Sequence, residues 1–511
     1  MKQSSYKKYS LFLILLFAIA KIITASAVEF GNDEAYYWVY SQQLQWNYFD
    51  HPPMVAIWAR FFSANLLLQD YPLFLRLGSI VGCALSTWFI FKCVSVIKDE
   101  RAGWFAVCLY NASYYAGITA GLFLMPDSPQ MIFYTFSMWM IARIVNDDSK
   151  WINWILFGIA SGLCIMSKVH GAFIWIGFSF FILLKKRQLL ANPRLYVALL
   201  LALIITSPII AWNIKNDFIT YRFHSERVVI NGHNSNWYNL LKAFIAQVVI
   251  NNPVNVVLIF TALITGLNYK IKSSALSIFN FIGLPFIFIL LFMAFFRITL
   301  PHWSGPAFVM LIPLAACWLA QVNTTALFPA ALKLSTGIYV LFLICCTLII
   351  NYYPGTFGKK TGIETGKGDM TVDMYGWQEA SKKFTTIYKN DFSSGIMPAG
   401  TPIVCNNWWG AHEEYYFCRP VGATMIGLGP LNDIHQYAWL NKKRILNNNL
   451  NNAYCIIHSD ENYNVRDHYD KYFSYSDTAA IIEIKRSNKP AHNFYILRLK
   501  GWKNIAVTTV P

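Results

Sequence analysis

The chain has 511 residues, 56% of them hydrophobic, 17% aromatic and only 13% charged. A soluble chain of this length carries far more surface charge, so the composition excludes an ordinary globular enzyme and points to a polytopic membrane protein. The net charge of +16 is no nucleic-acid footprint: no basic, aromatic-interleaved module is present, and many cations flank apolar runs, where lysine and arginine set membrane orientation.

Apolar runs near the roughly 20-residue spanning length predict about eleven α-helical spans. They lie near 9–27, 72–97, 102–123, 129–145, 152–166, 171–184, 195–212, 243–266, 278–296, 304–320 and 332–350. The first follows Lys2, Lys7 and Lys8 and ends at Ala25-Ser26-Ala27, which imitates a signal peptide. A retained first helix is the favoured reading, and either way residue 28 emerges on the far side. With the N-terminal lysines inside, the loops 98–101, 146–151, 185–194 and 267–277 also fall inside and carry an excess of lysine and arginine. An odd number of spans then puts the tail outside.

Residues 1–350 thus read as a membrane domain and 351–511 as a polar extracytoplasmic α/β domain. In the tail, Tyr375 to Tyr388 reads as an amphipathic helix. Pro402 to Cys405, Tyr454 to His458, Ala479 to Ile484 and Phe494 to Leu499 read as strands. The ten cysteines include no CxxC pair and no zinc spacing. Those in apolar runs read as small core residues. Of Cys405, Cys418 and Cys455 in the tail, the first two are expected to pair if the tail is outside.

This topology gathers the chemically unusual residues on one side. Asp33, Glu34, Asp50 and His51 lie on the first outer loop, and Met125-Pro126-Asp127-Ser128-Pro129 forms the second. Lys168 and His170 form the third. The fourth, about 213–242, holds Arg222, His224, Arg227 and His233, and the fifth holds Arg297 with Pro301-His302-Trp303. Acidic residues at the mouth of a membrane segment are costly to keep near lipid and usually have a role. Asp33-Glu34 also suits the start of an interfacial helix, where carboxylates are favoured, and Asp127 could equally cap a span. Lys168 could be a snorkelling loop lysine, although so tight a hairpin holds its ammonium near the headgroup plane. Arg60 and Arg76 flank spans and read as headgroup contacts. Asp50, His51 and His224 are suitable metal-ligand types without diagnostic spacing. A divalent metal is therefore an option, and no cofactor is required.

DEAYYW, then YFDHPPM, MPDSP and LPHWSGPAF in order resemble the GT-C glycosyltransferases that use polyprenyl-phosphate sugars, a superfamily that includes protein O-mannosyltransferases and bacterial lipid A aminoarabinose transferases. The likeness spans about 1–320, and Met374-Tyr375-Gly376-Trp377 extends it loosely into the tail. The resemblance implies a multi-span fold, a lipid-linked donor and an outward-facing site. It also implies a catalytic first-loop acid, here Asp33 with Glu34 beside it, and a second-loop acid at Asp127. Where some relatives have acidic-Lys-Pro-Pro, this chain has Asp50-His51-Pro52-Pro53, which makes the charge there pH-dependent.

The reaction expected is transfer of a sugar from undecaprenyl-type phosphate to a lipid A or lipopolysaccharide, glycan or protein acceptor, with inversion. Asp33 is the expected base, and Asp127 orients the acceptor or shares that role. Lys168, Arg222, Arg227 and Arg297 are the expected phosphate contacts. Asp50, His51, His302 and Trp303 are expected around the acceptor or sugar. The expected location is the bacterial inner membrane, amid its lipids, with the catalytic loops in the periplasm. The rival class, a transporter or flippase for a lipid-linked sugar, predicts charges near the bilayer midplane and paired inverted halves, and neither is visible.

Overall fold

The computed structural model describes residues 4–228, 236–265, 274–446, 450–461 and 465–510. The chain divides into two compact units, Met1–Ile23 with Leu44–Leu343, and Thr24–Gln43 with Ile344–Pro511.

The first unit is helical. It contains most of α1 (Ser4–Ala27), then α3 (Met54–Phe62), α4 (Pro72–Ile97), α5 (Glu100–Ala112), α6 (Asp127–Asn146), α7 (Trp151–Ser167) and α8 (Ala172–Lys185). It continues through α9 (Pro193–Lys215), α10 (Ile219–Val228), α11 (Trp237–Ile250), α12 (Pro253–Thr265), α13 (Ser274–Phe296), α14 (Gly305–Val322) and the first part of α15 (Ala330–Tyr352). Local chemistry sets several starts. Proline opens α4 and α9, where its missing N–H is not needed. The Asp99 carboxylate accepts the Ala102 N–H at 2.8 Å at the start of α5. Close helix approach relies on small residues, as lipid offers no hydrophobic drive between helices. At Gly158 of α7 a methyl would come within 2.5 Å of the Ala198 carbonyl oxygen of α9.

Six described helices are long and apolar enough to cross a membrane, Ser5–Ala27, Pro72–Ile97, Pro193–Lys215, Leu276–Phe296, Pro301–Val322 and Ala330–Tyr352. Two predicted spans are not continuous helices. The run 102–123 breaks after Ala112 and resumes as a π-helical turn, Tyr115–Thr119. The run 243–266 is α11 and α12, bent by 100°. Proline at 253 lacks an N–H and pushes its predecessor out of the helical region, and Asn252 takes φ +66°. The Asn252 side-chain amide donates to the Ala112 carbonyl at 2.9 Å and the Ser335 carbonyl at 3.0 Å. One side chain thus serves the carbonyl exposed by the first break while forming the second, as buried backbone requires.

The second unit holds α2 (Asn32–Gln42), α16 (Trp377–Ser393) and a five-stranded sheet. The strands are β1 (Ile403–Cys405), β2 (Met425–Gly427), β3 (Asn452–His458), β4 (Phe473–Arg486) and β5 (Lys489–Trp502). Their order is β2-β1-β3-β5-β4, with β1 parallel to β2 and β3, and β5 antiparallel to β3 and β4. The expected strands are present, longer at the carboxy-terminal hairpin, whereas β2 was not anticipated. The expected tail helix starts at Trp377 because Gly376 takes φ +86°, a left-handed geometry that suits glycine.

Val404, Ile426, Cys455, Ile457, Tyr495, Leu497 and Leu499 fill one core. A fully buried ion pair, Arg486–Asp369 at 3.1 Å, lies outside it. The expected Cys405–Cys418 disulfide is absent, since every cysteine is a free thiol. Cys405 is instead packed on Gly410, where an added methyl would lie 2.5 Å from its sulfur.

Candidate active site

In the helical unit, predicted residues from several loops meet around one buried pair. Asp127 opens α6 and is fully buried, and Lys168 follows α7 with 3% exposure. The Lys168 Nζ lies 2.9 and 2.8 Å from the two Asp127 carboxylate oxygens. Neither charge is tolerable alone in such a place. Together they satisfy two of the three ammonium N–H groups, and the third has no partner among the described residues.

The Tyr115 hydroxyl donates to Asp127 Oδ1 at 2.8 Å. It sits on the π-helical turn, a local distortion common at functional sites. Its ring lies against Gly305, where a methyl would come within 2.1 Å of the ring carbon Cγ. The glycine of the LPHWSGPAF motif is therefore the space that a tyrosine from another loop occupies. The turn before Asp127 is tied down through the Phe123 carbonyl, which accepts from Ser79 Oγ at 2.7 Å and Ser128 Oγ at 2.9 Å.

Three histidines surround this pair. The charges of Lys168 and Asp127 reach His51, His170 and His302. The His51 ring centroid lies 6.1 Å from that of His224, and the His170 ring 6.2 Å from Trp303. Burial, reinforced by the Lys168 charge, pushes His51 down to about 4 against the opposing pull of Asp50. His51 is thus neutral at neutral pH. His302 and Trp303 lie on a short 3-10 turn, Pro301–Ser304.

The suggested metal set does not assemble. His224 Nε2 bonds the Asp50 backbone carbonyl at 2.7 Å rather than its carboxylate. Among the described residues no group of three His, Cys, Asp or Glu suits a metal. Arg222 is exposed on α10, and Arg297 donates to the Glu226 carbonyl at 2.6 Å. The Arg227 side chain and His233 lie outside the described residues. Arg76, expected at the headgroups, is fully buried with its guanidinium 5.4 Å from the Phe123 ring centroid.

The first acidic pair belongs to the second unit. Glu34 is 2% exposed and its Oε2 accepts the Gly31 N–H at 3.1 Å, so its carboxylate fixes the start of α2. Asp33 is exposed. The segment before it is held by the carboxy-terminal chain. The Phe30 N–H donates to the Tyr416 hydroxyl at 2.7 Å, and His412 Nε2 bonds the Phe30 carbonyl at 2.8 Å. The Trp377 N–H donates to the Glu29 carboxylate at 2.7 Å. Asp373 accepts the Asn32 N–H at 3.3 Å. Burial, with the like charges of Asp33 and Glu34, pushes Asp373 up to about 7 against the lowering effect of that N–H.

Sequence reasoning missed Tyr115, Asp373 and Gln130. Asp373 directly precedes the Met374-Tyr375-Gly376-Trp377 motif, which is its only local signal. Gln130 is fully buried one turn after Asp127, and neither side-chain amide atom has a partner among the described residues, so it calls for a ligand or water.

A family profile described as dolichyl-phosphate-mannose-protein mannosyltransferase matches residues 50–212. The lipid A galacturonosyltransferase RgtD of Rhizobium johnstonii is 22% identical over 334 residues, covering 64% of this chain and 68% of that protein. The crystal structure of ArnT from Cupriavidus metallidurans in the apo state is similar with a TM-score of 0.65 at 11% identity, over 99% of this chain and 100% of that one. ArnT bound to undecaprenyl phosphate gives 0.63 at 12% identity, over 98% and 99%. Four motifs in order, a helical membrane unit joined to a sheet unit, and these likenesses lead to one conclusion: the chain has a GT-C fold, is similar to the GT-C transferases that use lipid-phosphate sugars, and is a membrane glycosyltransferase.

Proposed function

We propose that the protein transfers a sugar from a polyprenyl phosphate of the undecaprenyl type to an envelope acceptor, at the periplasmic face of the bacterial inner membrane and with inversion. The observation that carries this reading is the convergence of residues from four loops on the buried Asp127–Lys168 pair. The relatives named for lipid A and for undecaprenyl phosphate support the lipid carrier. They also favour lipid A over a glycan or protein acceptor.

The acceptor oxygen attacks the anomeric carbon, and the bond from that carbon to the phosphate oxygen breaks. The electron pair leaves with the polyprenyl phosphate, already a good leaving group. What this step needs is cationic stabilisation. Lys168 supplies its third N–H, Arg222 an exposed guanidinium, and Arg297 the guanidinium N–H groups not bonded to the Glu226 carbonyl. Asp33 takes the acceptor proton, and Asp127 holds Lys168 in place. Asp50, His51, His302 and Trp303 border the sugar and acceptor.

The test incubates membranes containing the protein with undecaprenyl-phosphate sugars and lipid A, and follows acceptor mass. Wild type adds one sugar per acceptor. Asp33→Asn abolishes transfer while the protein stays folded in the membrane, and full activity in that variant removes Asp33 as the base. No transfer from any lipid-phosphate donor, with transfer from a nucleotide sugar instead, overturns the proposal.

A further inference from the structure

In the second unit, β1 is the middle of three parallel strands, with β2 on one side and β3 on the other. The chain leaves β1 towards β2 and then crosses back to β3. In open parallel sheets this is the topological switch point, and ligands bind beyond the carboxyl ends of the strands there. A recess of about 10 Å³ lies at that position. It is lined by Asn406, Asn407 and Glu413, which follow β1, and by Glu461, which follows β3. Cys405 and Tyr469 complete its titratable lining, and Asp460 stands next to Glu461.

Glu413 is only 5% exposed, and its Oε2 has no hydrogen-bond partner among the described residues. Two carboxylates facing one small, poorly hydrated space cannot both stay ionised without a counter-charge. No arginine or lysine is among the described residues that line the recess. We propose that this recess is a binding site for one calcium-class divalent cation, held by Glu413 and Glu461 with the side-chain oxygens of Asn406 and Asn407. The inference is independent of the transferase reading.

The donor set decides the ion class. Carboxylates and amide carbonyls are hard oxygen ligands, suited to calcium rather than to a transition metal. The room matches a single water-sized body, which disfavours magnesium, an ion that keeps several waters. Each asparagine oxygen already accepts one bond. Asn407 Nδ2 donates to Asn406 Oδ1 at 3.1 Å, and the Trp409 N–H to Asn407 Oδ1 at 2.8 Å. Each keeps a second lone pair for a cation.

Full-length protein in detergent, stripped with EDTA and dialysed, is titrated with calcium chloride at neutral pH by calorimetry. The expected result is one site per chain, a rise in unfolding temperature, and a weaker response to magnesium chloride. Glu461→Gln and Glu413→Gln abolish the uptake, whereas exposed Glu379→Gln leaves it intact. Should Glu413→Gln fail to fold, Glu461→Gln and the calcium-against-EDTA comparison of wild type decide the matter. No uptake by folded wild type, or undiminished uptake in folded Glu461→Gln, overturns the site.

Discussion

Replacing Lys168 by methionine isolates the central pair. The substitution keeps most of the side-chain volume and removes the ammonium that meets both Asp127 oxygens at 2.9 and 2.8 Å. Asp127 keeps the Tyr115 hydroxyl at 2.8 Å but loses its counter-charge in a fully buried position. Breaking one side of such a pair costs about 3–5 kcal/mol. At roughly 2 °C per kcal/mol for a large unit, the unfolding temperature falls by about 6–10 °C. The double variant Asp127→Asn with Lys168→Met buries no charge and recovers most of that loss. Both variants lose transfer activity. Thermal unfolding of wild type, the two single variants and the double variant in detergent closes the cycle. Additive losses, with no recovery in the double variant, would refute a coupled buried ion pair.

Gly305→Ala drives a methyl into the Tyr115 ring, so it lowers transfer more than Tyr115→Phe, which removes only the bond to Asp127; kcat of the two variants with one donor checks the order. His458 donates through Nε2 to His492 Nδ1 at 2.7 Å, because His492 Nε2 must donate to the Tyr375 carbonyl at 2.8 Å. Burial lowers His458 to about 4, with Asp460 opposing. A depressed histidine contributes stability that is present above its unfolded value near 6.5 and is lost as pH falls through about 4. The stability advantage of wild type over His458→Gln therefore shrinks by on the order of 3 kcal/mol across that window, and an advantage that stays constant in urea titrations at each pH refutes it. Thiol labelling after denaturation without reductant should count ten cysteines; eight would restore one disulfide.

Much of the helical unit was legible because lipid imposes long apolar runs, and these carry a strong signal in sequence. Asp127 and Lys168 stood out as charges at the mouths of such runs. Their pairing did not, because it joins positions 41 residues apart through the packing of α6 on α7. Lys168 was read as a phosphate contact, and the fold gives two of its N–H groups to Asp127. Tyr115 was invisible for a related reason: its site is an absence of side chain at Gly305, and a glycine does not announce what fills its space. The break at Ala112 and the corner at Asn252 depend on each other across 140 residues, while hydropathy counts only neighbours. Strand β2 has three residues, too few for an alternating pattern to register.

The packing of residues 24–43 with the carboxy-terminal chain has a consequence for biosynthesis. Phe30 leaves the ribosome early, yet its hydrogen-bond partner Tyr416 lies 386 residues later. At about 5–20 residues per second, translation needs roughly 20–80 s to bridge that gap. Throughout that interval the segment bearing Asp33 lacks the tyrosine, histidine and tryptophan that fix it. A nascent chain stalled before Trp377 therefore carries its helical unit but an unfinished amino-terminal loop, whose anchoring waits for the last-made portion.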